Sequence, residues 1–198
     1  ALRIQPQYSE AYNNLGNTLR IQGKLREAIE AFQNAVRIKP DYLAAVRNLI
    51  YVFTQNGNFE KAIYTTNKAL AIQPNASSLY NDLGGILQRQ GKLDEALAAY
   101  EQAIIINSDD PNAYNNMGVA LNKKCRLDEA IDAFKKAISI KPDYSDAFWN
   151  LSGTAEDISD AKAWLERCLK SDNNHLKAKL NLAALKAYEG NKSNFDKL

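Results

Sequence analysis

The sequence repeats itself every thirty-four residues, and that period limits the folds open to it more than any other feature. Units begin at Ser9, Leu43, Ser77, Pro111 and Ser145. Their fourth place holds Tyr12, Val46, Tyr80, Tyr114 and Phe148, and their seventh Leu15, Leu49, Leu83, Met117 and Leu151. The eighth holds Gly16, Ile50, Gly84, Gly118 and Ser152. The twentieth is Ala28, Ala62, Ala96 and Ala130, and the twenty-seventh Ala35, Ala69, Ala103 and Ala137. A unit this short cannot bury an apolar face alone, so neighbouring units must stack.

Each unit reads as two antiparallel helices. The first spans roughly 9–22, and Gly23 ends it in the left-handed conformation that glycine accepts cheaply. The second spans roughly 25–38 and stops before Pro40, which cannot continue it. Tyr12, Leu15, Leu19 and Phe32 are expected to fill the space between helices, while Gly16, Ala28 and Ala35 let the backbones approach. Cys125 stands where Gly23, Gly57 and Gly91 stand, which should cost about 1 kcal/mol for a non-glycine residue held left-handed. In the second unit Ile50 replaces glycine and Thr66 replaces an aromatic, a gain and a loss that compensate in volume. The fifth unit is three residues short around residues 154–159, so its loop should be tighter. Residues 176–189 read as one more first helix before Gly190, capping the stack.

This pattern resembles the tetratricopeptide repeat (TPR) family. Its signature appears as Tyr12-x2-Leu15-Gly16-x2-Leu19, then Ala28-x3-Phe32 and Pro40. It recurs from Tyr80 to Tyr100, and from Tyr114 through Phe134 to Pro142. The resemblance implies an all-α fold, a right-handed superhelical α-α solenoid of antiparallel helix pairs. Repeats fall at 9–42, 43–76, 77–110 and 111–144, with a shortened fifth at 145–175 and a terminal helix and truncated end at 176–198. Residues 1–8 read as the tail of a preceding repeat, and 191–198 begin something unfinished, so the chain is expected to be a fragment.

Catalysis and cofactors find no support. His175 is the single histidine, and with Cys125 and Cys168 far apart no zinc site or Cys–His nucleophile can assemble. His175 is expected to be an exposed loop residue, and Cys168, in an alanine place, a small buried apolar one. Asp110 before Pro111 reads as a helix cap. Gly84–Gly85 follow a helical pattern and no strand, so they form no phosphate loop. A net charge of +2, with Lys and Arg dispersed, argues against nucleic acid. No apolar run is long enough for a bilayer, and two cysteines without a wider framework suggest free thiols in a cytoplasmic setting.

What remains is a surface. At 100° per residue, the second, sixth, ninth and thirteenth places lie opposite the apolar side of each first helix. The resemblance puts them in the concave groove of the array. The sixth place holds Asn14, Asn48, Asp82, Asn116, Asn150 and, in the terminal helix, Asn181. An Asn amide both donates and accepts, so a row of them can hold an extended chain by its backbone. The row is similar to the asparagine ladder in the repeat domain of O-GlcNAc transferase, with Asp82 the departure. The competing reading is that these amides bond across neighbouring units and fix the stack. Arg47, Tyr51, Asn17, Lys123 and Trp149 complete the candidate groove, with Trp149 equally able to pack against the shortened unit. The fifth place, Asn13, Arg47, Asn81, Asn115 and Trp149, varies and reads as a groove edge. The carboxylate clamp of chaperone-tail binders is absent: Asn17 and Asn48 match its asparagines, but Asn13, Ser78 and Asp82 occupy its basic places.

The sequence therefore points to a non-catalytic protein–protein interaction module that binds an extended peptide without a cofactor. Two alternatives stand beside it. The chain could be the substrate-recruiting arm of a glycosyltransferase or methyltransferase, or a scaffold that self-associates through exposed array ends.

Overall fold

The computed structural model describes residues 7–195, with side chains described from 8 to 189. Residues 1–6 of the expected tail at 1–8, and the last three residues, lie outside them. The described chain is helical, with α1 (Gln7–Ile21), α2 (Leu25–Ile38), α3 (Leu43–Gln55), α4 (Phe59–Ile72), α5 (Ser77–Arg89) and α6 (Leu93–Ile106) preceding residue 108. Beyond it come α7 (Pro111–Lys123), α8 (Leu127–Ile140), α9 (Ser145–Ser152), α10 (Ile158–Ser171) and α11 (Leu176–Phe195). The chain divides into two compact units between residues 108 and 109, and each is described by itself.

In the first unit three helix pairs stack. Ala28, Ala62 and Ala96 are fully buried, and Phe32, Val46, Ile50, Val52, Leu79 and Ile86 fill the core between helices. Gly16 and Gly84 show why the eighth place needs glycine. A Cβ on Gly16 would lie 2.6 Å from the Phe32 ring, and one on Gly84 2.5 Å from the Tyr100 ring. Both rings are almost wholly buried and have nowhere to go. In the middle repeat Ile50 and Thr66 are both buried, and Thr66 turns its hydroxyl onto the Ala62 carbonyl at 2.9 Å. The side chain that the ring supplies elsewhere comes here from the first helix. Leu15 departs from expectation: it is 48% exposed and does not fill the interhelical space.

The second unit repeats the scheme in α7 and α8, where a Cβ on Gly118 would lie 2.6 Å from the Phe134 ring. Asp110 caps α7 by accepting from the Asn112 amide at 2.9 Å. Cys125 does adopt the left-handed conformation, at φ 59°. The turn still closes its ladder, with Arg126 N donating to Leu121 O at 3.0 Å. Replacing Cys125 with glycine should therefore stabilise the protein by about 1 kcal/mol, measured by urea titration. No gain would mean that the thiol makes a compensating contact.

The shortened repeat is organised differently from the sequence expectation. Its α9 has only 8 residues against 13 in α7, and residues 153–157 form a longer, not tighter, connection than 124–126. The deletion falls on the helix because Asp157 begins the next one, its carboxylate accepting from Asp160 N at 2.8 Å. His175 is likewise no exposed loop residue, since its side chain is 11% exposed. Its Nδ1 accepts from Ala178 N at 3.1 Å, capping α11, while Nε2 faces Asp146 Oδ1 at 3.3 Å. Helix α11 continues past Gly190 to Phe195 rather than stopping at 189.

Titration of two tyrosines sets an alkaline limit. Burial, reinforced by Asp146 and Asp110, pushes Tyr144 up to about 12, and burial with Asp82 raises Tyr100 further. Unfolded tyrosines ionise near ~10, so above that pH the unfolded state sheds protons that the folded state keeps. Stability should hold below pH ~10 and fall as pH rises from there toward 12. A flat profile of urea midpoints from pH 8 to 11.5 would contradict this.

Candidate peptide-binding face

The first helices carry the candidate residues, and the structure adds an unexpected connection between the fifth and sixth places. In the first unit Asn48 Nδ2 on α3 donates to Asn13 Oδ1 on α1 at 2.8 Å. One repeat on, Arg47 forks onto Asp82 of α5, with Nε to Oδ2 at 2.5 Å and Nη2 to Oδ1 at 3.0 Å. In the second unit Asn150 Nδ2 on α9 donates to Asn115 Oδ1 on α7 at 2.8 Å. All these partners are 35 residues apart, so each link joins the fifth place of one repeat to the sixth place of the next.

Two fifth-place residues depart from the reading of that place as a groove edge. Asn13 and Asn115 are only 6% exposed, and buried amides of this kind need a partner. Asp82 is also explained. The carboxylate accepts from Arg47, so the Asn–Asn link has been replaced on both sides by a charged link of the same geometry. Asn48 and Asn150 thus bond across neighbouring repeats, as the competing reading at the sixth place requires. Each spends one N–H on that task, and no second side-chain hydrogen bond engages either among the described residues.

The remaining candidates fall into three groups. Asn14 and Asn181 are exposed, as is Lys123 in the last turn of α7, while Asn17 and Asn116 are half-buried. Tyr51 is 50% exposed on α3, with the Arg20 guanidinium 5.6 Å from its ring centre. Next to them Arg89 donates to the Thr54 carbonyl at 3.4 Å. Trp149 is different. It is half-buried beside the Phe148, Leu165, Cys168 and Leu182 cluster, with Lys177 Nζ 5.0 Å from its ring centre and the His175 ring at 6.0 Å. Its ring packs against the core of the short repeat.

Cysteine chemistry follows burial. Cys168 has no accessible surface, and burial, with Asp146 and Asp172 adding, pushes its thiol up to about 11. Cys125 is exposed. Among the described residues no cluster of metal-ligating side chains occurs, and no helix is long and apolar enough to cross a membrane.

Models of the tetratricopeptide repeat match residues 9–42, 41–107 and 75–143, which together cover more than half of the chain. The chain belongs to the tetratricopeptide repeat family. No curated protein sequence matches it. Among solved structures, MamA is similar at 23% identity and a TM-score of 0.65, over 82% of this chain and 96% of that one. The pilF protein of Pseudomonas aeruginosa gives a TM-score of 0.77 at 19% identity, over 94% and 86%. YrrB, a TPR protein with an unusual peptide-binding site, gives 0.60 at 24% identity, over 86% and 89%. These likenesses bear on the fold. The TPR array is the architecture of a protein–protein interaction module, and the family is generally non-catalytic.

Proposed function

We propose that the chain is a non-catalytic module that binds an extended polypeptide along the sixth- and ninth-place face of its first helices. The observation that carries this reading is the state of the sixth-place amides. Asn48 and Asn150 are held at fixed positions by one hydrogen bond each, donated through Nδ2 to Asn13 Oδ1 and Asn115 Oδ1. An amide fixed in this way offers its other N–H and its Oδ1 without losing much rotamer freedom on binding. A peptide backbone needs that combination, one donor and one acceptor, at regular intervals. Exposed Tyr51, with Arg20 over it, adds an anchor of amphipathic character. YrrB, a TPR protein with an unusual peptide-binding site, supports peptide binding as a use of this fold.

The test must spare the links that hold the stack, so it avoids Asn48 and Asn150. Peptides selected from a random library on the wild-type chain are titrated against Asn14→Ala with Tyr51→Ala. Both residues are exposed. Affinity should fall by about tenfold or more, the loss expected for an anchor of this size, with an unchanged melting temperature. Equal affinity and unchanged selectivity in the double variant would sink the reading.

A further inference from the structure

A cavity lies away from that face, between the second helices of the first two repeats. A cavity of about 370 Å³ opens between α2 and α4, walled by Val36, Pro40, Leu49, Ala69 and Ile72 with Val46 among its lining. Arg37, Tyr64 and Lys68 line it too, and no acidic residue does. Tyr64 and Ile72 are exposed large apolar side chains at this spot, at 69% and 46%.

The repeat itself explains why space exists here. Val46 is the fourth place, and the other four repeats fill it with Tyr12, Tyr80, Tyr114 and Phe148. In the second unit these rings lie against a cation from the following helix. Lys136 Nζ is 5.9 Å from the Tyr114 ring centre, and the Arg167 guanidinium is 5.1 Å from that of Phe148. Lys68 is the counterpart of Lys136 two repeats earlier, just as Val46 is the counterpart of Tyr114. The second repeat therefore keeps the cation and lacks the ring. Of the cations at the cavity, Arg37 holds Asn34 Oδ1 at 2.9 Å through one amino group, leaving further donors on its guanidinium.

We propose that this cavity receives an aromatic side chain from a partner polypeptide, in a segment where acidic residues flank the aromatic one. The guest ring takes the place that a repeat-encoded ring fills elsewhere, beneath Lys68 as Tyr114 lies beneath Lys136. Flanking carboxylates meet Arg37 and Lys68, with no acid at the cavity to repel them. The first-helix face plays no part in this contact.

The probe is a fluorescein-labelled, capped peptide of sequence Gly-Asp-Asp-Phe-Asp-Asp-Gly, with controls carrying Ala for Phe or Lys for Asp. Binding is followed by anisotropy, and the site by amide shifts in an NMR titration. The Phe peptide should perturb α2 and α4 around Val36 and Ala69, and the Ala control should bind about tenfold more weakly or worse. Val46→Tyr fills the cavity from within, so it should keep or raise the melting temperature and abolish binding. Lys68→Glu changes only an exposed side chain and should also weaken binding, which keeps the test open if Val46→Tyr folds poorly. Wild-type affinity in both variants, no binding of the Phe peptide, or shifts confined to the first helices would overturn the proposal. So would concentration-dependent dimerisation of the free wild type that Val46→Tyr removes, because a second copy would then own the cavity.

Discussion

Replacing Gly84 with alanine should destabilise the fold by about 1–3 kcal/mol, the cost of overpacking a filled core. The same change at Gly85 should stabilise it by about 0.5–1 kcal/mol, since alanine is the better helix former. The two glycines are neighbours on α5, and their environments are opposite. A Cβ on Gly84 would sit 2.5 Å from the buried Tyr100 ring, whereas one on Gly85 would meet only the Tyr100 hydroxyl at 3.9 Å. The second repeat also supplies a rescue. Gly84→Ile alone should exceed the cost of Gly84→Ala, and Gly84→Ile with Tyr100→Thr, which copies Ile50 and Thr66, should recover most of the loss. Urea denaturation of the four variants decides the matter. A Gly84→Ile variant as stable as wild type, or a pair no better than the single change, would show that ring and glycine are not coupled.

The second large effect is expected at the links between repeats. Asn48→Ala removes the donor to Asn13 and leaves a buried carbonyl oxygen without a partner, at a cost of about 1–3 kcal/mol. Replacing Asn13 and Asn48 together by leucine should cost far less, because no buried polar atom is then left unsatisfied. The equivalent charged link behaves differently. The Arg47 and Asp82 side chains are 46% and 19% exposed, so water already competes for them, and Asp82→Ala should cost only about 0–1 kcal/mol. A thermodynamic cycle at each pair, read by chemical denaturation, measures the coupling directly. Coupling near zero at Asn13–Asn48 would return the sixth-place amides wholly to solvent and to ligand.

Much of this fold was legible because a repeat is read several times over. The positions of Gly23, Gly57 and Gly91 marked three turns and made Cys125 recognisable as a fourth, at φ 59°. The alanine places were readable as close contacts for the same reason. Reading failed where the chain departs from its period. The missing residues of the fifth repeat shortened α9 rather than the loop, because helix-capping Asp157 fixes where the next helix begins, and no count of residues shows that. His175 looked like a solvated loop residue, but a ring nitrogen can cap a helix as an Asn side chain does.

The candidate face was legible in part. The row of sixth-place amides was plain, yet the partners of those amides lie 35 residues away, one place off the repeat, where positional columns do not align them. A signal was nonetheless present within this single chain. Where the fifth place is Asn13 the next sixth place is Asn48, and where it is Arg47 the next is Asp82. That joint change from amides to charges is what a direct contact between repeats requires. Val46, similarly, was visible as the one aliphatic residue in an aromatic column, but only the geometry of α2 and α4 turns the missing ring into a cavity.

On the proposed function, an extended polypeptide is held by the sixth-place amides of the first helices. This is tested most directly by the side-chain NH2 resonances of Asn14, Asn48, Asn150 and Asn181 in an NMR titration with a library-selected peptide whose binding survives Val46→Tyr. These side-chain signals should move and gain protection from exchange, while α2 and α4 stay unperturbed. Asparagine side-chain signals that remain in place at saturating peptide would contradict it.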